Sequence, residues 1–375
     1  MIPVNEPLIG NKEIKYVNEC LKTGWISSAG RFINEFEEKW AEYCGMKYGI
    51  AVSNGTVALE VAVKCLNLEP DDEIIMPTFT IISCAMAILY NKCKPVLVDS
   101  DPRTWVLDVN KIEKKITKKT RAIMPVHIYG HPCDMEPIIK IAQKHHLYII
   151  EDAAEAHGAE YQGKKCGCFG DISCFSFYAN KIITTGEGGM LLTNSKEYLE
   201  KAKSIRNLCF KPEKRFYHTD LGNNFRLTNI QAAIGLAQLE RIDELIERKI
   251  WIGKSYNQRL SRIVSIQLPA EKSWAKNVYW MYGLVIDEKT KMDALELAKI
   301  LKEKGIDTRP FFLGMHEQPI FRKMELFDNE SYPVAERIAR KGLYLPSGMS
   351  LTEKQIDKVC EVLLKIFGDV ERTIL

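Results

Sequence analysis

Between Tyr48 and Glu151 the chain alternates short β-branched runs with helical stretches, and this alternation limits the possible folds more than any other feature. The runs are mostly apolar along their whole length, which is typical of strands that are buried on both faces. Two similar runs follow before residue 200. The pattern predicts an α/β fold with a mostly parallel seven-stranded sheet between helical layers. The predicted strands lie at 49–52, 73–76, 95–98, 122–126, 147–150, 173–177 and 189–193.

The sequence changes character after the seventh run. A helical pattern at 229–248 continues to 262, and a strand at 279–286 then alternates with helices at 294–304 and 353–367. A chain of 375 residues has the length of about two domains. We therefore predict a large domain over residues 1–250 and a smaller α+β domain over 251–375.

Composition excludes several classes of protein. Fifty-two Lys and Arg residues against 49 Asp and Glu residues leave a net charge of only +3, which argues against a nucleic-acid binder. The N-terminal segment 1–7 lacks the basic and apolar regions of a signal peptide, and the longest apolar stretch, 81–90, is much shorter than the roughly 20 residues of a membrane span. We expect a cytoplasmic protein without a membrane segment.

The eleven cysteines indicate free thiols rather than a disulfide framework. Their number is odd and they are scattered along the chain. The closest set is Cys166, Cys168 and Cys174, whose spacing lacks the paired C-x2-C pattern of zinc sites. We predict no metal site and a reducing compartment.

A possible phosphate site follows the first predicted strand, at residues 53–56. Gly55 and Thr56 open the next helix, where free N–H groups and the helix dipole favour an anion, and glycine permits a close approach. The same residues can form an ordinary helix N-cap, which is a more common meaning of such a segment.

Two further strand ends carry candidate chemistry. Asp152 follows an apolar strand and precedes small residues, so its carboxylate can pair with a protonated pyridine nitrogen or simply cap a helix. Lys181 lies in a nearly uncharged loop rich in Thr and Gly. A less polar loop lowers the pKa of a lysine and makes its free amine available for a Schiff base.

These segments resemble the nucleotide-sugar aminotransferases, a pyridoxal-phosphate family with the type I, aspartate-aminotransferase-like fold, and most closely its perosamine-synthase branch. The resemblance extends over nearly the whole chain. It includes residues 23–28, 53–56, 99–104, 124–130, 151–158, 177–190, 224–226, 229–241, 280–282, 308–310 and 315–316.

The resemblance implies a role for each matching residue. Lys181 would bind pyridoxal 5′-phosphate covalently and move the proton during transfer, and Asp152 would hold the pyridine nitrogen. The phosphate would be bound by Gly55, Thr56 and Ser176, together with Asn224 from the partner subunit of a homodimer with shared active sites. Glu155 would lie beside the cofactor ring. The segments near the sugar nucleotide contain Trp25, Ser28, Asn180, Arg309 and His316.

The implied reaction moves an amino group from glutamate to C4 of a nucleotide-linked 4-keto-6-deoxyhexose in polysaccharide biosynthesis. The resemblance favours GDP-4-keto-6-deoxymannose as acceptor, and UDP- or dTDP-4-keto-6-deoxyglucose stays open. Lys181 favours amino transfer, because dehydratase relatives carry His at that position. Ile81 stands where many members have an aromatic residue that stacks on the cofactor ring.

Other functions find less support in the sequence. No G-x-G-x-x-G follows the first strand, which argues against a dinucleotide dehydrogenase. Residues 158–165 approach a P-loop, but Lys165 replaces the required Ser or Thr, and we predict a β-turn there. A non-catalytic regulator that binds pyridoxal phosphate is the remaining alternative, although regulators usually have an additional domain.

Overall fold

The computed structural model describes residues 1–211 and 213–374, and a seven-stranded sheet lies at its centre. The strands of the described residues are β1 (Tyr48–Val52), β2 (Glu73–Pro77), β3 (Lys94–Val98), β4 (Thr120–Ile123), β5 (Tyr148–Asp152), β6 (Glu160–Tyr161), β7 (Lys164–Lys165), β8 (Ile172–Ser176), β9 (Gly189–Thr193), β10 (Ile266–Gln267), β11 (Ala275–Lys276), β12 (Tyr282–Ile286), β13 (Arg309–Pro310) and β14 (Gly342–Leu345).

Helices connect and cover these strands. The α-helices of the described residues are α1 (Asn11–Thr23), α2 (Arg31–Cys44), α3 (Gly55–Cys65), α4 (Ser83–Tyr90), α5 (Met135–His145), α6 (Lys196–Arg206), α7 (Asn229–Leu239), α8 (Ile242–Leu260), α9 (Ala294–Glu303), α10 (Pro319–Lys323), α11 (Pro333–Lys341) and α12 (Glu353–Ile374). Short 3-10 turns occupy Val109–Lys111, Glu113–Lys115, Ile128–Gly130 and Met315–Glu317.

The central sheet has the strand order β1-β9-β8-β5-β4-β2-β3. β9 is antiparallel to both of its neighbours, and the other described pairings, from β8 to β3, are parallel. β2, β8 and β9 are buried along their whole length, as expected for strands covered on both faces. The predicted mostly parallel, seven-stranded α/β sheet is confirmed.

The local sequence explains why helix α3 starts directly after β1. Asn54 caps the helix, since its side chain accepts a hydrogen bond from the Val57 N–H at 2.9 Å. Most of the helix is apolar and buried, and it packs against β5, β8 and β9. An apolar helix of this kind is stable only inside the protein, and it therefore holds its N-terminus against the ends of those strands.

The C-terminal part of the chain forms a second sheet with its own hydrophobic core. Its strands have the order β10-β12-β14-β13, and its described pairings are antiparallel. The core combines this sheet with Tyr256 and Leu260 of α8, with residues of α12 and with Ile2. The division of the chain at residue 250 stays a prediction, and that position lies inside α8.

Two sequence-based interpretations can be compared with the backbone. The predicted continuous helix from 229 to 262 is interrupted, because Arg241 has a φ of −128° that lies outside the helical range. The P-loop-like segment is a β6–β7 hairpin, and Gln162 and Gly163 have φ angles of 49° and 78° at its tip. Positive φ at both positions is the geometry of a tight hairpin turn, so the predicted β-turn is confirmed.

A membrane-crossing helix would need to be both long and apolar, and none of the helices in the described part of the chain meets both conditions.

Candidate active site

A cavity of about 620 Å³ opens at the carboxyl ends of β1, β5 and β8. This is where ligands bind in open α/β sheets, and its volume suits a small cofactor with part of a substrate. Seven residues predicted to lie in the site line it together: Gly55, Thr56, Asp152, Glu155, Ser176, Asn180 and Lys181. These residues come from three separate strand ends, and the fold brings them to one place.

At one end of the cavity, Ser176 packs closely against the backbone of Gly55. Gly55 opens helix α3, and a Cβ added to it would lie 2.7 Å from Cβ of Ser176. Oγ1 of Thr56 lies 2.7 Å from Oγ of Ser83. The N–H groups at this helix start and the neighbouring hydroxyls form a suitable cradle for a phosphate. Asn54 supplies the cap, so the N-cap role is observed, and the phosphate role of Gly55 and Thr56 stays a prediction.

Asp152 presents a buried carboxylate to the cavity. Its Oδ1 accepts a hydrogen bond from the Ala154 N–H at 3.0 Å, and its Oδ2 accepts one from Sγ of Cys84 at 3.2 Å. Burial raises the pKa of Asp152. A carboxylate with so few donors keeps lone pairs available, and it can bind a positively charged N–H group of a ligand.

Glu151 precedes Asp152 and has a different environment, which the sequence did not reveal. It is buried, and it accepts hydrogen bonds from Nε2 of His127 at 2.9 Å and from the Phe169 N–H at 2.8 Å. Burial alone would raise its pKa, but these hydrogen bonds lower it. Glu151 therefore ties the end of β5 to the loops before it and after it.

His127, Glu151 and Cys166 lie close enough to resemble a metal-binding group. Nδ1 of His127 accepts a hydrogen bond from the Cys133 N–H at 2.9 Å, so the ring proton lies on Nε2 and is donated to Glu151. Both ring nitrogens are thus engaged without a cation. These side chains form a protein hydrogen-bond network, and the chemistry of the set does not call for a metal.

Lys181 lies between a carboxylate and an indole ring. Its Nζ is 3.9 Å from Oε1 of Glu155 and 3.8 Å from the centre of the Trp280 ring. Burial lowers the pKa of Lys181 and raises that of Glu155 to about 7. The Tyr129 N–H donates to Oε2 of Glu155 at 2.7 Å and fixes the carboxylate. The lowered pKa agrees with the expectation for a lysine that acts through its free amine.

Trp280 was not predicted to be a site residue. It lies in an aromatic run before β12, and such a run is equally typical of an ordinary core. Residues 280–282 belong to the family resemblance, but only the chain path, which brings the segment beside Lys181, shows that the indole lies at the amine. Ile81 lines the same cavity and is 40% exposed, so an aliphatic side chain faces the cavity at the position where the resemblance implies an aromatic one.

Three predicted residues lie on the surface or in a second cavity. Trp25 is 58% exposed, and Arg309 is exposed and pairs with Asp307 at 2.8 Å. Ser28 lines a neighbouring cavity of about 500 Å³ whose other lining residues include Arg206, Arg215 and Arg226. None of the three lines the main cavity in the described chain, and their role in substrate binding stays a prediction.

Asn224 and His316 also lie outside the lining of the main cavity, as far as the described residues show. Oδ1 of Asn224 accepts a hydrogen bond from Nε of Arg226 at 2.8 Å. His316 is buried, and its ring nitrogens lie 2.9 Å from Oγ1 of Thr78 and 3.2 Å from Oε1 of Glu336. Two assignments are still predictions: that Asn224 belongs to the partner subunit's site, and that His316 contacts the substrate.

The fold and the site together define a class of protein. A type I α/β sheet carries a mostly buried lysine, a buried aspartate and a helix N-terminus that suits a phosphate around one cavity. That combination is the framework of a pyridoxal-phosphate enzyme that acts on amino groups.

Comparison with known proteins gives the family. A sequence model of the DegT/DnrJ/EryC1/StrS aminotransferase family matches residues 7–364, and the chain belongs to this family. The predicted fold, the predicted pyridoxal phosphate cofactor and the predicted sugar-nucleotide aminotransferase activity are confirmed.

Two relatives and one solved structure illustrate the similarity. The GDP-perosamine synthase of Escherichia coli O157:H7 is 44% identical, with 98% of this chain and 99% of the relative covered. The GDP-perosamine synthase of Caulobacter vibrioides is 45% identical, with coverage of 96% and 97%. The crystal structure of S. venezuelae DesV superposes with a TM-score of 0.89 and 31% identity, over 95% of this chain and 94% of that one.

Proposed function

We propose that this enzyme transfers an amino group from glutamate to C4 of GDP-4-keto-6-deoxymannose and so produces GDP-perosamine. The observation that carries the chemistry is Lys181, whose side chain is only 9% exposed and which shares one cavity with Asp152 and with the start of α3. The nucleotide and the sugar are supported by the full-length similarity to relatives named GDP-perosamine synthase.

The residues around the cavity suit pyridoxal phosphate. Gly55 and Ser176 both line this cavity, and a Cβ added to Gly55 would lie 2.7 Å from Cβ of Ser176, so the residue that opens α3 has no room for a side chain. Oδ1 of Asn180 is buried and has no hydrogen-bond partner among the described residues, and Asn180 lines the same cavity. An unpaired buried oxygen is costly, so a ligand that donates a hydrogen bond would stabilise it.

When bound, the cofactor supplies an electron sink for negative charge on the carbon next to the transferred nitrogen. The Asp152 carboxylate keeps a proton on the pyridine nitrogen, because an ion pair with a buried anion favours the charged form of its partner. Lys181 acts as general base and then as general acid, and burial, which lowers its pKa, favours the neutral amine that the first of these steps needs. The neighbouring Glu155 holds a counter-charge 3.9 Å from Nζ.

We also infer a homodimer in which Asn224 of each subunit serves the other subunit's site. The segment between α6 and α7, which contains Asn224, exposes large apolar side chains: Phe216 is 83% exposed and Leu221 is 88% exposed. Exposed apolar side chains of this size favour a protein interface. A cytoplasmic location is supported by the eleven free cysteines, since free thiols persist in reducing compartments.

The decisive experiment measures the two halves of the reaction. The purified protein with pyridoxal phosphate should show a visible absorbance band that Lys181→Ala abolishes and that glutamate bleaches. GDP-4-keto-6-deoxymannose, UDP-4-keto-6-deoxyglucose and dTDP-4-keto-6-deoxyglucose should then be compared as acceptors. A preference for the UDP or dTDP sugar would overturn the proposed substrate. A protein that binds the cofactor but does not react with glutamate would support the regulator instead.

A further inference from the structure

A tryptophan from the C-terminal part of the chain covers the amine of Lys181. Trp280 precedes β12, and it is only 3% exposed. The centre of its ring is 3.8 Å from Nζ of Lys181. This is close to van der Waals contact, and it is the arrangement in which the negative face of an indole attracts a cation. The amine thus has an aromatic face and a carboxylate, Glu155, within 4 Å.

The position of the indole is set by contacts on several sides. Nε1 of Trp280 donates to the backbone oxygen of Asn180 at 2.8 Å, so the ring is tied to the residue just before Lys181. The ring also stacks on Tyr129, with a centroid distance of 6.2 Å and an interplanar angle of 22°. Tyr129 in turn donates its N–H to Glu155. One network therefore holds the indole, the carboxylate and the lysine in fixed relation.

A glycine makes this arrangement sterically possible. Gly130 follows Tyr129 and has a φ of +96°, and a Cβ added to it would lie 2.8 Å from the backbone nitrogen of Trp280. Any side chain at this position would push the Trp280 segment away from the loop that follows β4. The close contact between the two segments therefore depends on the absence of a side chain at position 130.

Resting on the aminotransferase function proposed above, we propose that Trp280 is a positioning residue whose indole face holds the protonated amine of Lys181 beside Glu155. During transfer the lysine must accept a proton and later return it. A buried ammonium ion has lost its hydration, and a π face partly replaces it without competing for the proton as a hydrogen-bond acceptor would. The ring therefore stabilises the proton-carrying state of the lysine.

The other groups around Lys181 differ in their charge and in their effect on its pKa. Burial lowers the pKa of Lys181, and the negative charges of Glu155 and Asp152 oppose this effect. Burial lowers the pKa of His157 to about 3, so this neighbour is uncharged. Glu187 also lines the cavity. Since Trp280 is neutral, its replacement leaves these charges in place and isolates the contribution of the ring.

The test follows the capture of pyridoxal phosphate by the full-length protein from which the cofactor has been removed. Only the neutral amine attacks the aldehyde carbon; a C=N bond forms and water leaves. The capture rate therefore rises with pH, and its midpoint reports the proton affinity of Lys181. Trp280→Leu and Trp280→Met keep an apolar cover without a ring. We expect both to lower the midpoint by about one pH unit, a tenfold loss of proton affinity. Trp280→Phe should restore part of the difference.

The matched control is Trp251→Leu. Trp251 lies on α8 with its ring centre 4.2 Å from the guanidinium carbon of Arg248, so the same change removes a cation–π contact away from the cavity. Its midpoint should equal that of the wild type. Circular dichroism is used to select the Trp280→Leu or Trp280→Met variant that is folded. If a folded ringless variant has a midpoint at or above the wild-type value, the proposal is overturned. A wild-type protein that captures no cofactor would instead overturn the proposed function.

Discussion

Glu151 and Asp152 are consecutive residues at the end of β5, yet their carboxyl groups have opposite surroundings. Asp152 accepts two hydrogen bonds and lines the cavity. Glu151 accepts hydrogen bonds from five donors, which are His127, Gly167, Phe169, Gly170 and Ser173. Successive side chains of a strand point to opposite faces, so one strand end provides both a ligand contact and a structural anchor.

Asp152→Asn should lower the turnover number of amino transfer by about a hundredfold or more, because the amide cannot keep a proton on the pyridine nitrogen. The variant keeps the shape of the side chain, and Lys181 still binds the cofactor. Turnover with glutamate and GDP-4-keto-6-deoxymannose checks the prediction, with the visible absorbance band as evidence of cofactor binding. Wild-type turnover in the Asn variant would contradict the role of Asp152.

Glu151→Gln should lower the free energy of unfolding by about 3 kcal/mol at neutral pH, because a buried anion is replaced among donors arranged for it. Its hydrogen bonds lower the pKa in the folded state. The stabilisation is therefore present above the unfolded-state pKa of about 4.3, and it is lost as the pH falls through the folded-state value. Urea unfolding at several pH values should show the difference between wild type and variant shrinking on acidification.

The matched control for Glu151 is Glu113→Gln. Glu113 forms ion pairs with Lys144 and His145 on the surface, where such pairs contribute little to stability. Its replacement should leave the unfolding curve at neutral pH unchanged. Equal destabilisation by the two substitutions would show that the network around Glu151 has no special role.

Gly55→Ala should weaken the binding of pyridoxal phosphate. The new Cβ would lie 2.7 Å from Cβ of Ser176, and overpacking of this kind costs about 1–3 kcal/mol. If the strain falls on the phosphate cradle, the dissociation constant rises by about five- to a hundredfold. Fluorescence titration with the cofactor measures it. Gly368→Ala is the control, since a Cβ there meets nothing within 4 Å.

Mixing two inactive variants should restore activity if the site is shared. Lys181→Ala removes the reacting amine, and Asn224→Ala removes the contact that we propose for the partner's phosphate site. A mixed dimer then contains one site with both native residues, and random exchange gives up to about a quarter of the wild-type activity. Activity after mixing, with subunit exchange followed by mass spectrometry, checks this. Complete exchange without recovery would contradict a shared site.

The sequence was a good guide to residues that lie next to each other along the chain. The apolar runs predicted the seven strands, and the residues after those runs include Gly55, Asp152 and Lys181, which the structure places around one cavity. This works because the ends of parallel strands meet at one edge of a sheet. The resemblance to a family added the cofactor and the reaction.

Boundaries between helices were less predictable. The apolar pattern after residue 229 continues without a glycine or proline at 240–241, and the structure nevertheless ends α7 at Leu239. Arg241 leaves the helical range in a region where its guanidinium lies 3.9 Å from Glu13 and 2.8 Å from Glu244. The partner Glu13 is more than 200 residues away in the sequence, so no local pattern could indicate the break.

By itself, the sequence determined the α/β class and the strand ends, and it singled out Lys181 and Asp152 as candidates that the structure places in one cavity, since these depend on local periodicity and on motifs. Only the tertiary structure decided which groups surround them. Trp280 reaches Lys181 across about a hundred residues of chain, and His127 reaches Glu151 from another strand end. Burial and distance set the proton affinities of these groups, and both arise only when the whole chain is packed.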